Sequence, residues 1–157
     1  SEMCIRDSNS TMRLSFGTVC GYTPFDGAEY DYYTTTKGVL EKVKAHVGDV
    51  DFAVQPEILS LLSSGNFGRY ADEKGEMKVC FISNNDITGG NSGSAMFNSK
   101  GELLGLAFDG NWEAMGSDIL YEPKMQRTIG VDVRYILFMI EKYGKAGNLI
   151  QELNILN

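Results

Sequence analysis

The sequence predicts a mostly β fold, an antiparallel β-barrel or sandwich with helices at its C-terminal end. Short segments with alternating, β-branched or aromatic residues recur along the chain, and glycine-rich turns separate them. Helical spacing of apolar residues is concentrated near the C-terminal end, apart from two short segments in the first half. The length of 157 residues suits one domain with a single core. This order of elements is typical of a mainly antiparallel β domain.

The first half of the chain holds two predicted strands and two predicted helices. Apolar and polar residues alternate over residues 12–22, as they do in a half-buried strand. Residues 30–36 are rich in aromatic and β-branched side chains and predict the next strand. Residues 38–46 predict a short amphipathic helix. Pro56 marks the start of another helix, which continues through residues 57–62.

The second half predicts most of the strands and then two helices. The predicted strands are residues 77–83, a hairpin of 94–98 and 103–108, and 128–131. The sequence Asn-Ser-Lys-Gly at 98–101 supplies the turn of the hairpin. Apolar residues at helical spacing predict a helix over 133–142. Gly144 and Gly147 are predicted to break it, and 149–153 to begin a final short helix.

Composition and charge exclude several classes of function. A net charge of -7 and a pI near 4.7 argue against nucleic acid or an anionic membrane as a partner. No apolar run reaches the roughly 18 residues that a membrane span needs. The three cysteines, Cys4, Cys20 and Cys80, have neither metal-ligand spacing nor a CxxC pair. The cysteines therefore indicate no metal site, and we expect no organic cofactor either.

The first eight residues do not resemble a native N-terminus. Residues 3–8, MCIRDS, are what the codons ATG TGT ATA AGA GAC AGC encode, and these bases match the end of a transposon adapter used in sequencing libraries. We therefore expect residues 1–8 to derive from the adapter and exclude them from the fold prediction. On this interpretation the native reading frame was cut upstream of about Asn9. An ordinary polar tail is the alternative.

The stretch TGGNSGSAM, residues 88–96, contains a candidate nucleophile, Ser92. Gly, Asn and Ser are common in tight turns, so the motif alone also fits an ordinary glycine-rich hairpin. A serine hydroxyl is a weak nucleophile and needs a base, usually His, and a third group that orients the base. It also needs backbone N–H donors for the developing oxyanion, which Gly90 and Ser92 supply if the turn is tight. Its place between two predicted strands fits a serine hydrolase built on a β-barrel.

Four stretches of the chain together carry a family resemblance. They are FGRYAD at 67–72, TGGNSGS at 88–94, GELLGLAFDGNWE at 101–113 and QRTIGVDVRYIL at 126–137. This combined pattern resembles the bacterial dipeptidyl-peptidase 7 and 11 family, serine exopeptidases with a chymotrypsin-type double barrel. The resemblance extends over nearly all of the chain after about residue 12 and is far more specific than GNSGS alone. It implies that residues 9–157 are the C-terminal, second barrel of such an enzyme.

The resemblance implies roles for the residues around the motif. Ser92 corresponds to the family nucleophile, and the N–H groups of Gly90 and Ser92 correspond to its oxyanion hole. Asp109 corresponds to an acidic residue near the free N-terminal amine of the substrate. A contact between a carboxylate and an ammonium group there favours removal of dipeptides over internal cleavage. The alternative for Asp109 is an ordinary turn residue at the end of a hairpin.

Gly110 corresponds to the family position that discriminates the side chain before the cut bond. Relatives that select Asp or Glu carry Arg there, whereas Gly110 has no charge and leaves volume. The likeness therefore favours a hydrophobic pocket, and we place the neighbouring Phe108 among the substrate contacts. Gly110 also fits an ordinary turn glycine, and both interpretations are compatible. Trp112 lies beside these positions, where we expect a large aromatic residue to serve packing.

The chain departs from the family pattern in two respects. Ala95 stands where the family usually has Pro, which we expect to cost little stability because Ala fits the same strand entry. The single histidine, His46, lies in a polar segment, and we interpret it as a solvated loop residue. Asp86 is close to Ser92 along the chain and is also interpreted as a loop residue. In the chymotrypsin arrangement His and Asp come from the preceding barrel, so we expect this chain alone to be close to inactive.

We interpret the chain as part of a serine-type dipeptidyl aminopeptidase that acts on peptides with a free N-terminus. The resemblance also implies export to the periplasm or cell surface of a bacterium, and a homodimer for the intact protein. One alternative is a non-catalytic, protease-like domain that binds peptide termini, which explains the missing triad partners. Another is a serine hydrolase that cuts inside chains, which N-acetylated substrates distinguish because such an enzyme accepts them.

Overall fold

A computed structural model describes residues 14–116, 122 and 124–156 of the chain. The chain forms two compact units. Of the described residues, the first unit contains those up to Tyr33 and those between Cys80 and Val131, and the second contains Thr34–Val79 and those from Asp132 onward. Residues 1–8, which we expect to derive from an adapter, lie outside the described residues. The candidate nucleophile belongs to the first unit.

The strands form one sheet in the order β1-β2-β5-β4-β3. They are β1 (Tyr33–Thr35), β2 (Lys78–Ser83), β3 (Ala95–Phe97), β4 (Leu103–Gly110) and β5 (Thr128–Asp132). β2 pairs antiparallel with β5, with Cys80 opposite Val131. β3 pairs antiparallel with β4, with Ala95 opposite Leu106. The turn between β3 and β4 is closed by the N–H of Asn98, which donates to the carbonyl oxygen of Glu102 at 2.9 Å.

The fold class predicted from the sequence is confirmed as a mostly antiparallel five-stranded sheet with C-terminal helices. Strands β2 to β5 lie where the sequence predicts them, with ends shifted by at most two residues. In the part of the chain that the structure describes, the sheet is open, with β1 and β3 as its edges, and does not close into a barrel. A closed barrel requires its two edge strands to pair with each other.

Two glycines allow close packing within the sheet of the first unit. A Cβ on Gly105 of β4 would overlap the carbonyl oxygen of Val131 on β5. A Cβ on Gly130 would lie 2.7 Å from Sδ of Met96 and 2.7 Å from Cζ of Phe81. Any side chain at either position would therefore push β4 or the Phe81 ring out of place.

The strand predicted over residues 12–22 is wrong. Residues 14–18 have no regular structure, and Val19 and Tyr22 form isolated bridges, to Ser83 and Tyr30; residues 12 and 13 lie outside the described part. At Gly21 a Cβ would overlap the carbonyl oxygen of Tyr30, so the segment passes its neighbour more closely than an ordinary strand pair. The alternating pattern therefore lacks the continuous partner that a strand needs.

The second unit is built from helices around an apolar core. Its helices are α1 (Thr36–Ala45), α2 (Pro56–Ser63), α3 (Val133–Phe138) and α4 (Gly147–Gln151). The ring of Phe138 packs edge-on against Phe67 and Tyr70, with centroids 5.7 and 5.9 Å apart. The buried core residues are Leu62, Phe67, Tyr70, Met77, Leu137, Phe138 and Ile150. None of the helices in the described residues has the length and apolar content that crossing a bilayer requires.

The helix predicted over residues 133–142 is confirmed, but its second half has a wider geometry. α3 continues directly into a π-helical turn, Met139–Tyr143. The N–H of Gly144 donates to the carbonyl oxygen of Met139 at 2.8 Å and ends the turn. Gly147, predicted to break the preceding helix, is instead the first residue of α4, so the final helix begins earlier than predicted.

Candidate active site

A tight turn before β3 presents Ser92 and is held by Asn91. The backbone N–H of Asn91 donates to the carbonyl oxygen of Thr88 at 3.2 Å. Its side-chain Nδ2 donates to the same oxygen at 2.8 Å and to Oγ1 of Thr88 at 3.2 Å. Gly90 and Gly93 have φ angles of 100° and 86°, in the region that favours glycine. The glycines on both sides of Ser92 are therefore needed for the shape of the turn.

Ser92 lies against the end of β4. Its side chain is exposed, and its Oγ donates to the carbonyl oxygen of Phe108 at 3.2 Å. Two backbone bonds hold the turn to the strand: the N–H of Gly93 donates to Ala107 O at 2.7 Å, and the N–H of Ala107 donates to Ser94 O at 2.8 Å. The hydroxyl is therefore accessible, but a backbone carbonyl is not a base and does not activate it.

The N–H groups of Gly90 and Ser92 have no hydrogen-bond acceptor among the described residues. Both residues are exposed, so water satisfies these donors in the free protein. Successive backbone N–H groups of a tight turn form anion-binding sites and stabilise the oxyanion of acyl-transfer reactions. The turn thus has two donors available beside the candidate nucleophile.

β4 ends in Asp109 and Gly110, directly after the Phe108 carbonyl that contacts Ser92. Asp109 is exposed, and its Oδ1 accepts the N–H of Gly110 at 2.8 Å. Its Oδ2 has no hydrogen-bond donor among the described residues. The structure therefore brings the candidate residues onto one hairpin and leaves a carboxylate oxygen available to a cation.

Gly110 packs closely against Ala114, so there is no open volume at the position where a side chain of residue 110 would begin. A Cβ on Gly110 would lie 3.0 Å from Cβ of Ala114 and 3.9 Å from the carbonyl oxygen of Arg127. Ala114 belongs to a 3₁₀ turn, Trp112–Gly116, that follows β4. The expectation that Gly110 leaves volume is therefore corrected, because even one added carbon requires Ala114 to move.

Phe108 and Trp112 expose large aromatic surfaces near these residues. Phe108 is 58% exposed and Trp112 is 81% exposed. The packing role expected for Trp112 is therefore wrong in the described part of the protein, since most of its ring is open to solvent. An exposed indole offers an apolar face that a ligand or another segment can cover.

A hydrogen-bonded network around Asn111 was missed by sequence reasoning. Asn111 is buried, and its Nδ2 donates to Oε2 of Glu113 at 2.8 Å. The hydroxyl of Tyr22 donates to the same carboxylate oxygen at 3.0 Å. Burial raises the pKa of Tyr22 above its ordinary value, so this hydroxyl remains a donor. In the sequence Gly-Asn-Trp, Asn111 resembles an ordinary turn residue, and its partners other than Glu113, which are Met125 and Arg127, are distant along the chain.

A groove of about 760 Å³ adjoins the Ser92 turn. Thr88 and Asn91 line it on the side of the turn, and Phe16 and Thr18 are among its other lining residues. A volume of this order lies within the range of sites that hold small ligands, about 300–1,000 Å³. Space for an extended ligand is therefore present beside the candidate nucleophile.

His46 makes its contacts in the second unit. Its ring stacks on Phe52 with centroids 4.0 Å apart, and its Nδ1 lies 2.9 Å from the carbonyl oxygen of Lys42. Asp86 is exposed, and its backbone carbonyl accepts the hydroxyl of Ser15 at 2.7 Å. Both agree with the loop interpretation. Over the residues described, no group of His, Cys, Asp and Glu is arranged to hold a metal ion.

Comparison with known sequences points to one family of peptidases. The profile of the family Peptidase S46 matches residues 1–155. The protein called dipeptidyl-peptidase 7 of Porphyromonas endodontalis is 60% identical over 149 residues, which cover 95% of this chain and 18% of that protein. An Asp/Glu-specific dipeptidyl-peptidase of Capnocytophaga gingivalis is 44% identical over 156 residues, 99% of this chain and 22% of that protein. The chain therefore spans about a fifth of the length of these relatives.

Solved structures show the same fold for this segment. The crystal structure of Porphyromonas endodontalis DPP11 with the dipeptide Arg-Glu matches with a TM-score of 0.85 and 42% identity, over 92% of this chain and 20% of that one. The same protein in an alternate conformation matches with a TM-score of 0.83, also at 42% identity, over 92% of this chain and 22% of that one. The arrangement of strands and helices described above is thus similar to that of a segment of DPP11.

Proposed function

Since the chain belongs to the peptidase S46 family, we propose that it carries the nucleophile of a serine-type dipeptidyl peptidase. The observation that carries this proposal is the position of Ser92. Its exposed hydroxyl lies on a tight turn and contacts the end of β4, the strand that bears Asp109. The backbone N–H groups of Gly90 and Ser92 in the same turn have no acceptor among the described residues. Nucleophile, oxyanion donors and an anionic group for the substrate amine thus lie on one hairpin.

The proposed reaction begins with attack of Ser92 Oγ on the carbonyl carbon of the second residue of the substrate. A histidine supplied by the rest of the longer polypeptide takes the hydroxyl proton, which the Phe108 carbonyl holds in the free chain. The tetrahedral oxyanion accepts hydrogen bonds from the N–H groups of Gly90 and Ser92. As it collapses, the histidine gives the proton to the departing amine of the third residue, and water then hydrolyses the acyl-enzyme, which releases the dipeptide and restores the Ser92 hydroxyl.

Asp109 accounts for release of dipeptides instead of internal fragments. Its free Oδ2 is a suitable acceptor for the N-terminal ammonium group of the substrate, and such charge-assisted contacts are among the stronger hydrogen bonds. A peptide whose amine is acetylated loses both the charge and two donors. We therefore propose that Asp109 binds the free terminus at a fixed distance from Ser92, so that the second peptide bond is the one attacked.

We propose a hydrophobic preference for the residue before the cut bond. Gly110 carries no charge to pair with an acidic side chain, and Phe108 and Ala114 give its surroundings an apolar character. The relatives named dipeptidyl-peptidase 7 are 49–60% identical to this chain, against 41–45% for those named Asp/Glu-specific dipeptidyl-peptidase. The higher identity to the first group supports the same preference.

A chimera tests the proposed function. This chain replaces the matching segment of dipeptidyl-peptidase 7 of Porphyromonas endodontalis, which is 60% identical to it. We expect the chimera to release coumarin from dipeptidyl coumarylamides whose second residue is hydrophobic, and not from their N-acetylated forms. Ser92→Ala in the same chimera is expected to lower kcat by about 10⁴-fold or more, because the nucleophile is lost. A folded chimera without activity, or one that Ser92→Ala leaves active, contradicts the proposal.

A non-catalytic function is the second candidate, because the only hydrogen bond of the Ser92 hydroxyl in the described residues is to a carbonyl. On this alternative the hairpin binds the free terminus of a peptide through Asp109 and does not cut it. The chimera separates the two: a binding domain would retain dipeptide affinity that Asp109→Asn weakens, while no coumarin is released.

A further inference from the structure

We propose that Asn111 is a positioning residue for specificity, which fixes the wall that faces Gly110. This inference rests on the proposed function, because it concerns the pocket for the side chain before the cut bond. Asn111 follows Gly110 directly and is 9% exposed. It touches no part of the substrate in this proposal and acts through the residues that it holds.

Asn111 joins the end of β4 to the residues before β5 by two opposed hydrogen bonds. Its backbone N–H donates to the carbonyl oxygen of Arg127 at 2.9 Å. Its side-chain Oδ1 accepts the backbone N–H of Arg127 at 2.8 Å. Because both groups of one residue bond both backbone groups of the other, a shift or rotation of Asn111 breaks at least one bond. The position of the chain just after Gly110 is therefore fixed.

The remaining polar groups of Asn111 fix the 3₁₀ turn that follows. Its Nδ2 donates to the carbonyl oxygen of Met125 and to Oε2 of Glu113, each at 2.8 Å. Its own carbonyl oxygen accepts the N–H of Ala114 at 2.9 Å. Every hydrogen-bonding group of this buried residue is thus engaged, which an asparagine needs if its burial is not to cost stability.

The bond to Ala114 connects this network with the pocket. The Cβ of Ala114 is the atom that a Cβ on Gly110 would meet, at 3.0 Å. Asn111 therefore determines how close Ala114 stands to Gly110, and with it the depth available to a substrate side chain. If Asn111 loses its bonds, Ala114 and the 3₁₀ turn are free to move toward or away from Gly110.

Tyr22 and Arg127 support the same network from the other side. The Tyr22 hydroxyl donates to Oε2 of Glu113 at 3.0 Å, and the guanidinium of Arg127 lies 5.3 Å from the centre of the Tyr22 ring. Nη2 of Arg127 donates to the carbonyl oxygen of Gly21 at 3.0 Å. Glu113 is therefore shared between Asn111 and Tyr22, and the loss of Tyr22 leaves the bonds of Asn111 to Arg127 intact.

Asn111→Asp in the chimera is the discriminating variant. Asp has nearly the same shape but offers no N–H to Met125 or Glu113, and its charge opposes that of Glu113. We measure kcat/KM for a substrate whose second residue is Leu and for one whose second residue is Ala, and take the Leu-to-Ala ratio. We expect this ratio to fall about tenfold, because the fit of a side chain in a pocket discriminates substrates on that scale. The rate of inactivation by methanesulfonyl fluoride, which needs Ser92 but no pocket, should change by less than about twofold.

Two controls separate positioning from general damage. Tyr22→Phe removes the bond of its hydroxyl to Glu113 but leaves both bonds between Asn111 and Arg127, so the Leu-to-Ala ratio should remain within about 1.5-fold of that of the unmodified chimera. The double variant Asn111→Asp, Glu113→Gln restores a donor opposite position 111 and is expected to recover at least about a third of the lost ratio. If Asn111→Asp does not fold, Glu113→Ala carries the test, with an expected fall of about threefold.

An unchanged Leu-to-Ala ratio in a folded Asn111→Asp or Glu113→Ala chimera overturns the proposal. The proposal also fails if the ratio falls together with the rate of methanesulfonyl fluoride inactivation, since the whole site is then disturbed. An inactive but folded unmodified chimera overturns the proposed function, and this inference with it. Activity in that chimera without an effect at position 111 rejects the inference alone.

Discussion

At the scale of single residues, Asn91 decides where the two free backbone donors beside Ser92 point. Its Nδ2 bonds both the carbonyl oxygen and Oγ1 of Thr88. We expect Asn91→Ala in the chimera to lower kcat about 10- to 100-fold with little change in KM, because donors aimed at the oxyanion matter most in the transition state. Thr88→Ser keeps the hydroxyl and should have kcat close to that of the unmodified chimera. A rise in KM at unchanged kcat would contradict this role.

Gly105 gives a stability prediction at the same scale. A Cβ there would overlap the carbonyl oxygen of Val131, so Gly105→Ala should destabilise the 157-residue chain by about 3 kcal/mol. Gly38 is the matched control: it lies in α1, and a Cβ there meets nothing within 4 Å. Gly38→Ala should stabilise the chain by about 0.5–1 kcal/mol. Urea unfolding followed by circular dichroism measures both, and equal effects of the two substitutions would refute the packing explanation.

The sequence points to the candidate site residues but not to the residues that hold them in place through hydrogen bonds. The local glycine-rich pattern indicates Ser92 as a candidate, and the family resemblance adds Asp109. Asn111 is equally close, but its partners Arg127 and Met125 come from a segment whose proximity depends on the pairing of β4 with β5. No local pattern encodes that pairing. The contact at Gly110 was missed because it depends on the 3₁₀ turn Trp112–Gly116, which the sequence analysis did not predict.

At the scale of elements, Asp132 joins β5 to α3 without a loop. It ends the strand and caps the helix, and its Oδ1 accepts the backbone N–H of Arg134 at 2.9 Å. Its Oδ2 also accepts Nη2 of Arg134 at 2.6 Å. We expect Asp132→Ala to lower the free energy of unfolding by about 1–2 kcal/mol, since a cap and an ion pair are lost. Asp132→Asn keeps an acceptor for the N–H and should cost less. A larger cost for Asn than for Ala in urea unfolding would contradict the capping explanation.

Elements are predicted correctly where pattern and partner agree. β2 alternates buried and half-buried residues and pairs with β5 over its last four residues, Cys80 to Ser83, so its pattern and its structure coincide there. Residues 12–22 show a similar alternation, yet the described part forms isolated bridges at Val19 and Tyr22. Alternation records which side chains turn inward, whereas a strand also requires a continuous hydrogen-bonded neighbour. Sequence patterns supply the first condition and not the second.

At the scale of the whole chain, acid should weaken the fold through Glu141. A hydrogen bond from the Tyr70 hydroxyl, supported by Lys142 and Arg69, holds the pKa of Glu141 at about 2, below its ordinary value. A carboxylate with a lowered pKa in the folded state contributes stability above its unfolded pKa and loses it as pH falls towards the folded value. The stabilisation should therefore be complete above about pH 5 and decline from there to about pH 2.

Glu141→Gln isolates this contribution. The variant should lose stability relative to the unmodified chain at neutral pH, and the difference should shrink as the pH is lowered from about 5 to about 2.5. Urea unfolding at several pH values measures the difference. Glu73→Gln is the control, because Glu73 is exposed and has no hydrogen bond among the described residues, and it should change the free energy of unfolding by less than about 0.5 kcal/mol. A pH-independent effect of Glu141→Gln would reject the assignment.

The purified 157-residue chain gives the final prediction. Its one histidine, His46, bonds Lys42 and stacks on Phe52, so we expect it to leave Ser92 without a base. Release of coumarin from dipeptide substrates should therefore lie at least about 10³-fold below that of the chimera. His46→Ala should leave this residual rate unchanged. Robust turnover by the isolated chain, or its loss on His46→Ala, would overturn the need for an external histidine.

The hairpin that bears Ser92, Asp109 and Gly110 has a consequence for how such enzymes diversify. The residues proposed to meet the substrate lie between positions 90 and 110, and the turn and strand that carry them are bonded to each other. One short exchange of coding sequence can therefore transfer all the residues that are proposed to contact the substrate on this hairpin. Asn111 stands just outside that interval, with its partners farther along. A hairpin transferred from another enzyme without these partners would carry the substrate-contacting residues but would not hold them in the geometry that gives selectivity.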